Sequence, residues 1–323
     1  MKKIILSYDY ELFFGDKSGT VQKTLIEPTN FILDAMDSVN AKANFFVDWL
    51  MLKYLKETNT VRTNEDYKLI VDQLHNMIRR GHRIELHIHP HWVDAKYNGD
   101  GTWDFSNFKH YSLNSFSENE IINMFVEGTK LLTNIAKEID PEYELVAFRA
   151  GGWAVQPFNL LRKAFEKTGI KIDSSVAIGI AGQNQYSSYD FSNVNTSSKE
   201  LYRFDSDVTY EVKNGHFIEV PISTYSRNII YRVIDKLYRT FSKNNIVISD
   251  GTHLRTGMHY NYYSTRSMIT LSRISPLSVY LSILSQTEPL ITIIDHPKDF
   301  TLSAITSISL LKRYNTIQYK DLL

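Results

Sequence analysis

The chain alternates short apolar runs with longer stretches of helical spacing, and its chemistry-bearing residues stand where the apolar runs end. Residues 4–8, 43–47, 83–87, 145–148, 170–173, 217–220, 246–248 and 291–294 read as strands. The stretches between them predict helices over 29–39 behind Pro28, 64–80 closed by Gly81, and 117–135 opened by a Ser117/Glu120 capping box. Further helices are predicted over 157–167, closed by Gly169, and from Pro276 through Gln286. Such a rhythm is that of βα units around a largely parallel sheet, an α/β fold. Residues 181–216 break it with a polar tract, Gly182 to Tyr189, and insertions of this length over one face often shape a substrate site. Without linker, repeat or low-complexity tract, residues 1–323 are expected to form a single domain.

Asp9, His87, Arg149, Asp173 and His296 all fall at or just past the C-terminal ends of these strands. In a (β/α) barrel those ends gather on one face, so residues distant in sequence share one pocket. With no cysteine in the chain, any metal held there must be bound by His, Asp or Glu. The 36 basic residues balance the 36 acidic ones, which leaves no net field for nucleic acid. The apolar start is interrupted at Asp9 and Glu11, and no run reaches the roughly 18 apolar residues of a membrane span. A soluble, cytoplasmic protein is therefore expected; nothing in the sequence sets its oligomeric state.

The segment Glu85-Leu86-His87-Ile88-His89-Pro90-His91-Trp92 carries the sharpest local signal. Neutral imidazole suits zinc and similar ions. On a continuing strand His87 and His89 share a face; if the chain turns helically, His87 and His91 do. Pro90 argues against smooth continuation of the strand and tilts the choice toward His91. Asp9 and Glu11, two apart, offer carboxylates to the same pocket: one completes a two-His, one-carboxylate site, the other is left as a general base.

In this order the residues resemble the polysaccharide deacetylase family, the NodB-like carbohydrate esterases. The family's first motif, usually Thr-Phe-Asp-Asp-Gly, supplies a base and then a ligand. Ser7-Tyr8-Asp9-Tyr10-Glu11 puts Asp9 at the base position, and Glu11 matches the variant whose acidic ligand comes one residue later. His87 and His91 match the His-x-x-x-His second motif, with His89 as the alternative ligand. Arg149 and Trp153 match the third, Asp173-Ser174-Ser175 the fourth, and Ile293-Ile294-Asp295-His296-Pro297 the last.

The resemblance implies an incomplete (β/α) barrel of about seven strands, short of the closed eight-stranded form. It implies one divalent ion, zinc foremost, on Glu11, His87 and His91. Asp9 would take a proton from water, His296 would protonate the departing sugar amine, and Arg149 would orient Asp9. Asp173 would orient His296 or Arg149, Tyr10 would lend a backbone N–H, and Trp92 and Trp153 would stack on a sugar ring. The implied reaction is hydrolytic N-deacetylation of an N-acetylated sugar or glycan intermediate in bacterial surface-polysaccharide assembly, O-antigen synthesis included. Competing readings are a hydrolase of a non-sugar amide and an inactive carbohydrate-binding barrel; Tyr10 in the usual ligand position favours the latter. His253, after another apolar run, offers a cleft wall rather than a ligand.

Overall fold

The computed structural model describes residues 2–254, 261–262 and 266–323. Among them, nine strands form the main sheet: β1 (Lys3–Tyr10), β2 (Ala43–Asp48), β3 (Arg83–Ile88), β4 (Ala147–Ala150), β5 (Ile172–Asp173), β6 (Tyr202–Phe204), β7 (Phe217–Glu219), β8 (Leu290–Asp295) and β9 (Asn315–Thr316). They run in the order β6-β7-β5-β4-β3-β2-β1-β8, with β9 paired to the start of β1. Every pairing is parallel except β6 with β7. The sheet curls into an incomplete barrel. It exceeds the expected strand number because β6, from the insertion, and β9, from the tail, extend it.

The free edge of β8 is covered by irregular chain. Ser223 N–H donates to the Thr292 carbonyl at 2.9 Å, and Ile294 N–H donates to that of Ile269 at 3.1 Å. Ile269 N–H in turn reaches the Ser223 carbonyl at 3.0 Å. Backbone groups that a barrel strand would pair are thus satisfied without one.

Helices cover the outer face: α1 (Glu27–Asp37), α2 (Trp49–Thr58), α3 (Val61–Arg79), α4 (Glu118–Lys137), α5 (Asn159–Thr168), α6 (Ile229–Phe241), α7 (Pro276–Leu284) and α8 (Ser303–Ser309). The Ser117/Glu120 capping box forms as expected, and Gly169 closes α5 with a left-handed φ of 77°. α3 starts earlier than its spacing suggested because Thr60 caps it, accepting the Thr63 N–H. α2, α6 and α8 have no counterpart among the predicted elements. α2 follows β2 with no intervening turn, so no loop signal separates the two. Residues 246–248 form no strand; Val247 makes only an isolated bridge with Thr301.

Beneath the helices lies an aromatic cluster. Phe125 packs on Phe148 at 4.6 Å and on Phe165 at 5.6 Å, linking α4, β4 and α5. Gly128 allows α4 to approach Trp49 of α2, since a Cβ there would meet the indole at 2.7 Å. Glu85, next to the histidine run, holds β3 to β4. Its carboxylate accepts the N–H groups of Val146 and Ala147 at 2.8 and 3.0 Å and pairs with Arg83 at 2.8 Å. Among the described residues no helix is long and apolar enough to cross a membrane.

Truncating Phe125 removes a fully buried ring at the junction of three elements. Phe125→Ala should lower unfolding stability by about 3–5 kcal/mol in urea titrations, without altering the site, because Phe148 and its neighbour Arg149 point to opposite faces of β4.

Candidate metal centre and active site

Strand alternation decides what β1 contributes. Asp9 and Glu11 point to the same side and are both buried. Tyr10 points the opposite way: it is fully buried and its hydroxyl donates to Gln73 Oε1 at 2.8 Å. Its side chain belongs to the core, so any part it takes in the site falls to the backbone N–H expected of it.

Glu11 meets two imidazoles. Its Oε2 lies 3.1 Å from His87 Nε2 and also contacts His89 Nε2. Single ligand atoms of Glu11, His87 and His89 all lie within 4.8 Å of one another. His91 lines the same cavity but falls outside this cluster, in a 3-10 turn over Pro90–Asp94, its ring against Phe14 at 4.8 Å and Tyr111 at 4.5 Å. The cluster is therefore completed by the alternative ligand, His89, and not by His91. The reason is Pro90 itself: a proline forces the residue before it toward extended backbone. His89 accordingly keeps φ −109°, ψ 99°, and the two-residue alternation of β3 holds through it.

The cluster is built like a ligand set. His87 Nδ1 donates to the Arg149 carbonyl at 2.7 Å, and Nε2 donates to Glu11 Oε2 at 3.1 Å; burial disfavours the charge of this imidazole, but Asp9 and Glu11 override it and shift it upward. His89 Nδ1 is buried without a hydrogen-bond partner, and its Nε2 meets only Glu11. Burial pushes the His89 imidazole down to about 4 and the His91 imidazole well below its ordinary value, which keeps both neutral. Burial, opposed by His89, Lys298 and His87, leaves Glu11 held well below the usual carboxylate range.

Asp9 keeps different company. Arg149, fully buried on β4, donates from Nη1 to Asp9 Oδ1 at 2.6 Å. The rest of the guanidinium is fixed by the Ser174 carbonyl at 2.7 Å, Ser7 Oγ at 2.9 Å, Ser174 Oγ at 3.1 Å and the Tyr319 hydroxyl at 3.3 Å. The other Asp9 oxygen faces His296 Nε2 at 3.4 Å. Burial works against the Asp9 charge, but Arg149, His87 and His296 outweigh it and hold the carboxyl far below its ordinary range. His296 shifts upward: burial disfavours its charge, and Asp9 overrides that.

Two further expected residues land elsewhere. Asp173 touches neither Arg149 nor His296. It accepts from Ser175 Oγ at 2.8 Å and shares a hydrogen bond with Glu219, both carboxyls raised by burial. Its neighbour Ser174 is what holds Arg149. Trp92 is fully buried beneath the histidines, packed edge-on against Trp103 and Phe105, so it braces the core instead of meeting a sugar. Trp153 does face the pocket. His253 lies at the cleft wall, bonded to Asp299 at 2.8 Å.

The structure adds residues the sequence reading passed over. Asp48, at the end of β2, accepts the Trp92 indole N–H at 2.6 Å and the His89 N–H at 3.3 Å, fixing the turn that presents His89. Burial pushes its carboxyl up to about 7. Lys298, in the turn after β8, places its ammonium on Glu11 Oε1 at 2.5 Å. Phe14 stacks on His89 at 4.2 Å. Asp9, Glu11, His89, Trp153, His296 and Lys298 share a cavity of about 550 Å³.

No protein-family profile and no curated protein matches the sequence. Among solved structures the chain is similar to a 4-alpha-glucanotransferase from Thermococcus litoralis, at 13% identity and TM-score 0.51, over 99% of this chain and 40% of that one. It is also similar to a peptidoglycan N-acetylglucosamine deacetylase, at 13% identity and TM-score 0.46, over 99% of this chain and 87% of that one. A polysaccharide deacetylase from Bacillus cereus is similar at 12% identity and TM-score 0.42, over 99% and 94%. At these identities the likeness is one of fold, and the chemistry follows from the side chains described above.

Removing Arg149 strands a buried carboxylate. Arg149→Met should lower stability by about 3–5 kcal/mol near neutral pH, and Arg149→Lys should not restore it, because one ammonium cannot reproduce the fork. Asp9 is more acidic folded than unfolded, so its stabilisation is present above its unfolded pKa of about 3.9 and is lost as pH falls through the folded value. Urea unfolding of wild type and Asp9→Asn across the acid range checks this: the variant should lose less stability on acidification.

Proposed function

We propose that this chain is a single-barrel, metal-dependent N-deacetylase of an N-acetylated sugar, a polysaccharide deacetylase of the Asp-x-Glu type. One observation carries the reading: two carboxylates, one near the end of β1 and one just past it, enter one pocket with different partners. Glu11 meets two imidazoles, while Asp9 is gripped by a guanidinium and faces a third imidazole. A ligand carboxylate and a separate proton-handling carboxylate are what hydrolysis of an amide at a metal centre requires.

The donor set of one carboxylate and two imidazoles fits zinc, and the convergence of single atoms of Glu11, His87 and His89 within 4.8 Å of one another suits an ion there. An ion held by Glu11, His87 and His89 would supply Lewis-acid activation of water and amide carbonyl, which a base as weakened as Asp9 needs. Asp9 takes the proton from water, oriented by Arg149. His296, whose protonated form Asp9 favours, donates to the departing amine. Trp153 provides the aromatic wall against which a pyranose stacks. Assembly of a bacterial surface polysaccharide is the setting that the motif resemblance supports.

A second reading, a barrel of this shape that binds glycan without hydrolysing it, draws on Lys298. Its ammonium already neutralises Glu11.

Metal analysis of the purified protein should find one divalent ion per chain. Glu11→Gln, His87→Ala and His89→Ala should each weaken it at least tenfold, by about the margin seen when ligands or their supports are removed, while His91→Ala should not. A chain that binds no ion and hydrolyses no N-acetylated oligosaccharide would leave the second reading standing. Asp9→Asn and His296→Ala should keep the ion yet lose roughly 10²–10⁴ in turnover. Release of acetate from N-acetylated oligosaccharides, compared with a panel of small amides, gives both the rate and the substrate class.

A further inference from the structure

α6 is amphipathic in the unusual sense that its apolar side faces solvent. Ile229, Val233, Leu237 and Phe241 recur every four residues and are 70%, 48%, 53% and 83% exposed, with Ile230 beside them at 59%. This ridge spans about 18 Å along the helix. The helix is nevertheless firmly set. Asn228 caps it at the Ile230 and Tyr231 N–H groups. Its one acidic residue, Asp235, is turned inward to accept from Arg227 at 2.8 Å and from Ser275 N–H and Ser278 Oγ at 3.1 and 2.7 Å.

With Asp235 buried, every exposed charge on the helix is basic. Arg232, Lys236 and Arg239 form a row along one flank of the ridge, and a helical wheel puts them next to it. The same three side chains line a groove of about 770 Å³ that shares Trp153 with the cavity of Asp9 and Glu11. The chain as a whole has no net charge, so this row is a local feature.

A row of apolar side chains in water, flanked on one side by cations alone, matches an interface that is apolar inside and anionic at its surface. A second copy of the chain fits it less well. An isologous pairing over the ridge would bring like-charged rows near one another.

We propose that α6 docks on an anionic lipid bilayer, with its Ile/Val/Leu/Phe ridge in the acyl boundary and Arg232, Lys236 and Arg239 on headgroup phosphates. The helix then lies in the membrane surface and does not cross it. The groove beside Trp153 opens next to that surface, so a glycan presented there has a short path to Asp9 and Glu11. The docking itself needs neither metal nor substrate, and stands apart from the reading of the active site.

Flotation of the full chain with phosphatidylcholine vesicles, with and without phosphatidylglycerol, tests this. Wild type should float with the anionic vesicles and stay largely behind with the neutral ones. Phe241→Trp should show a blue-shifted emission on the anionic vesicles. Leu237→Asp with Phe241→Asp should cut binding more than tenfold, and Arg232→Gln with Lys236→Gln should cut it by roughly fivefold per charge. These side chains are exposed, so circular dichroism and thermal unfolding of the variants should match wild type. Wild type failing to float with anionic vesicles would overturn the proposal, as would flotation unchanged in both double variants. A wild-type dimer in solution that Leu237→Asp with Phe241→Asp abolishes would assign the ridge to a second copy instead.

Discussion

A guanidinium enclosed in the middle of a barrel sets the terms for everything around it. Arg149 has no water to solvate it, and a buried charge without partners costs several kcal/mol. Its donors are met from three directions: Asp9 and Ser7 on β1, Ser174 after β5, and Tyr319 from the tail, with the Phe46 ring centre 4.2 Å from the guanidinium carbon. Satisfying that one side chain therefore fixes the relative placement of β1, β2, β4 and the C-terminal segment. The same contact that balances the charge leaves Asp9 with one oxygen tied and one directed at His296. Stability and the aim of the proposed base thus come from one interaction.

The two acids of β1 show how much a neighbour decides. They are separated by one residue, buried alike, and chemically near-equivalent. Glu11 is answered by imidazoles and an ammonium, Asp9 by a guanidinium and a single imidazole. Lys298 gives Glu11 a cationic partner in the absence of any ion, which spares the pocket an uncompensated charge. Under the proposed reading, an arriving cation would have to share Glu11 with that ammonium.

Much of this was legible because strand ends are legible. Asp9, Arg149 and His296 sit where apolar runs stop, and the barrel brings such ends together, as the cross-strand register of Asp48, His87 and Arg149 shows. What the sequence hid depends on which way a side chain points. Tyr10 and Trp92 stand next to site residues in the chain but turn into the core. Pro90 reads as a strand breaker, yet its first effect is to straighten His89. Asp48 has no motif around it, and Lys298 becomes a partner only through the turn Pro297–Asp299. Asp173 matched a motif position, but a carboxyl neighbour, Glu219, claims it. α6 carries its apolar residues outward, the reverse of what a packed helix does.

The place of β1 between β2 and β8 bears on how the molecule comes into being. Its partner β8 lies far along the chain: the Ser7 hydroxyl bonds the Ile293 carbonyl across 286 residues. A strand buried on nearly every residue thus has its second edge covered only when chain 286 residues away returns to it. Long-range parallel pairing of this kind folds slowly and leaves sticky edges exposed meanwhile, and the carboxylates at the end of β1 meet His296 and Lys298 only after that return.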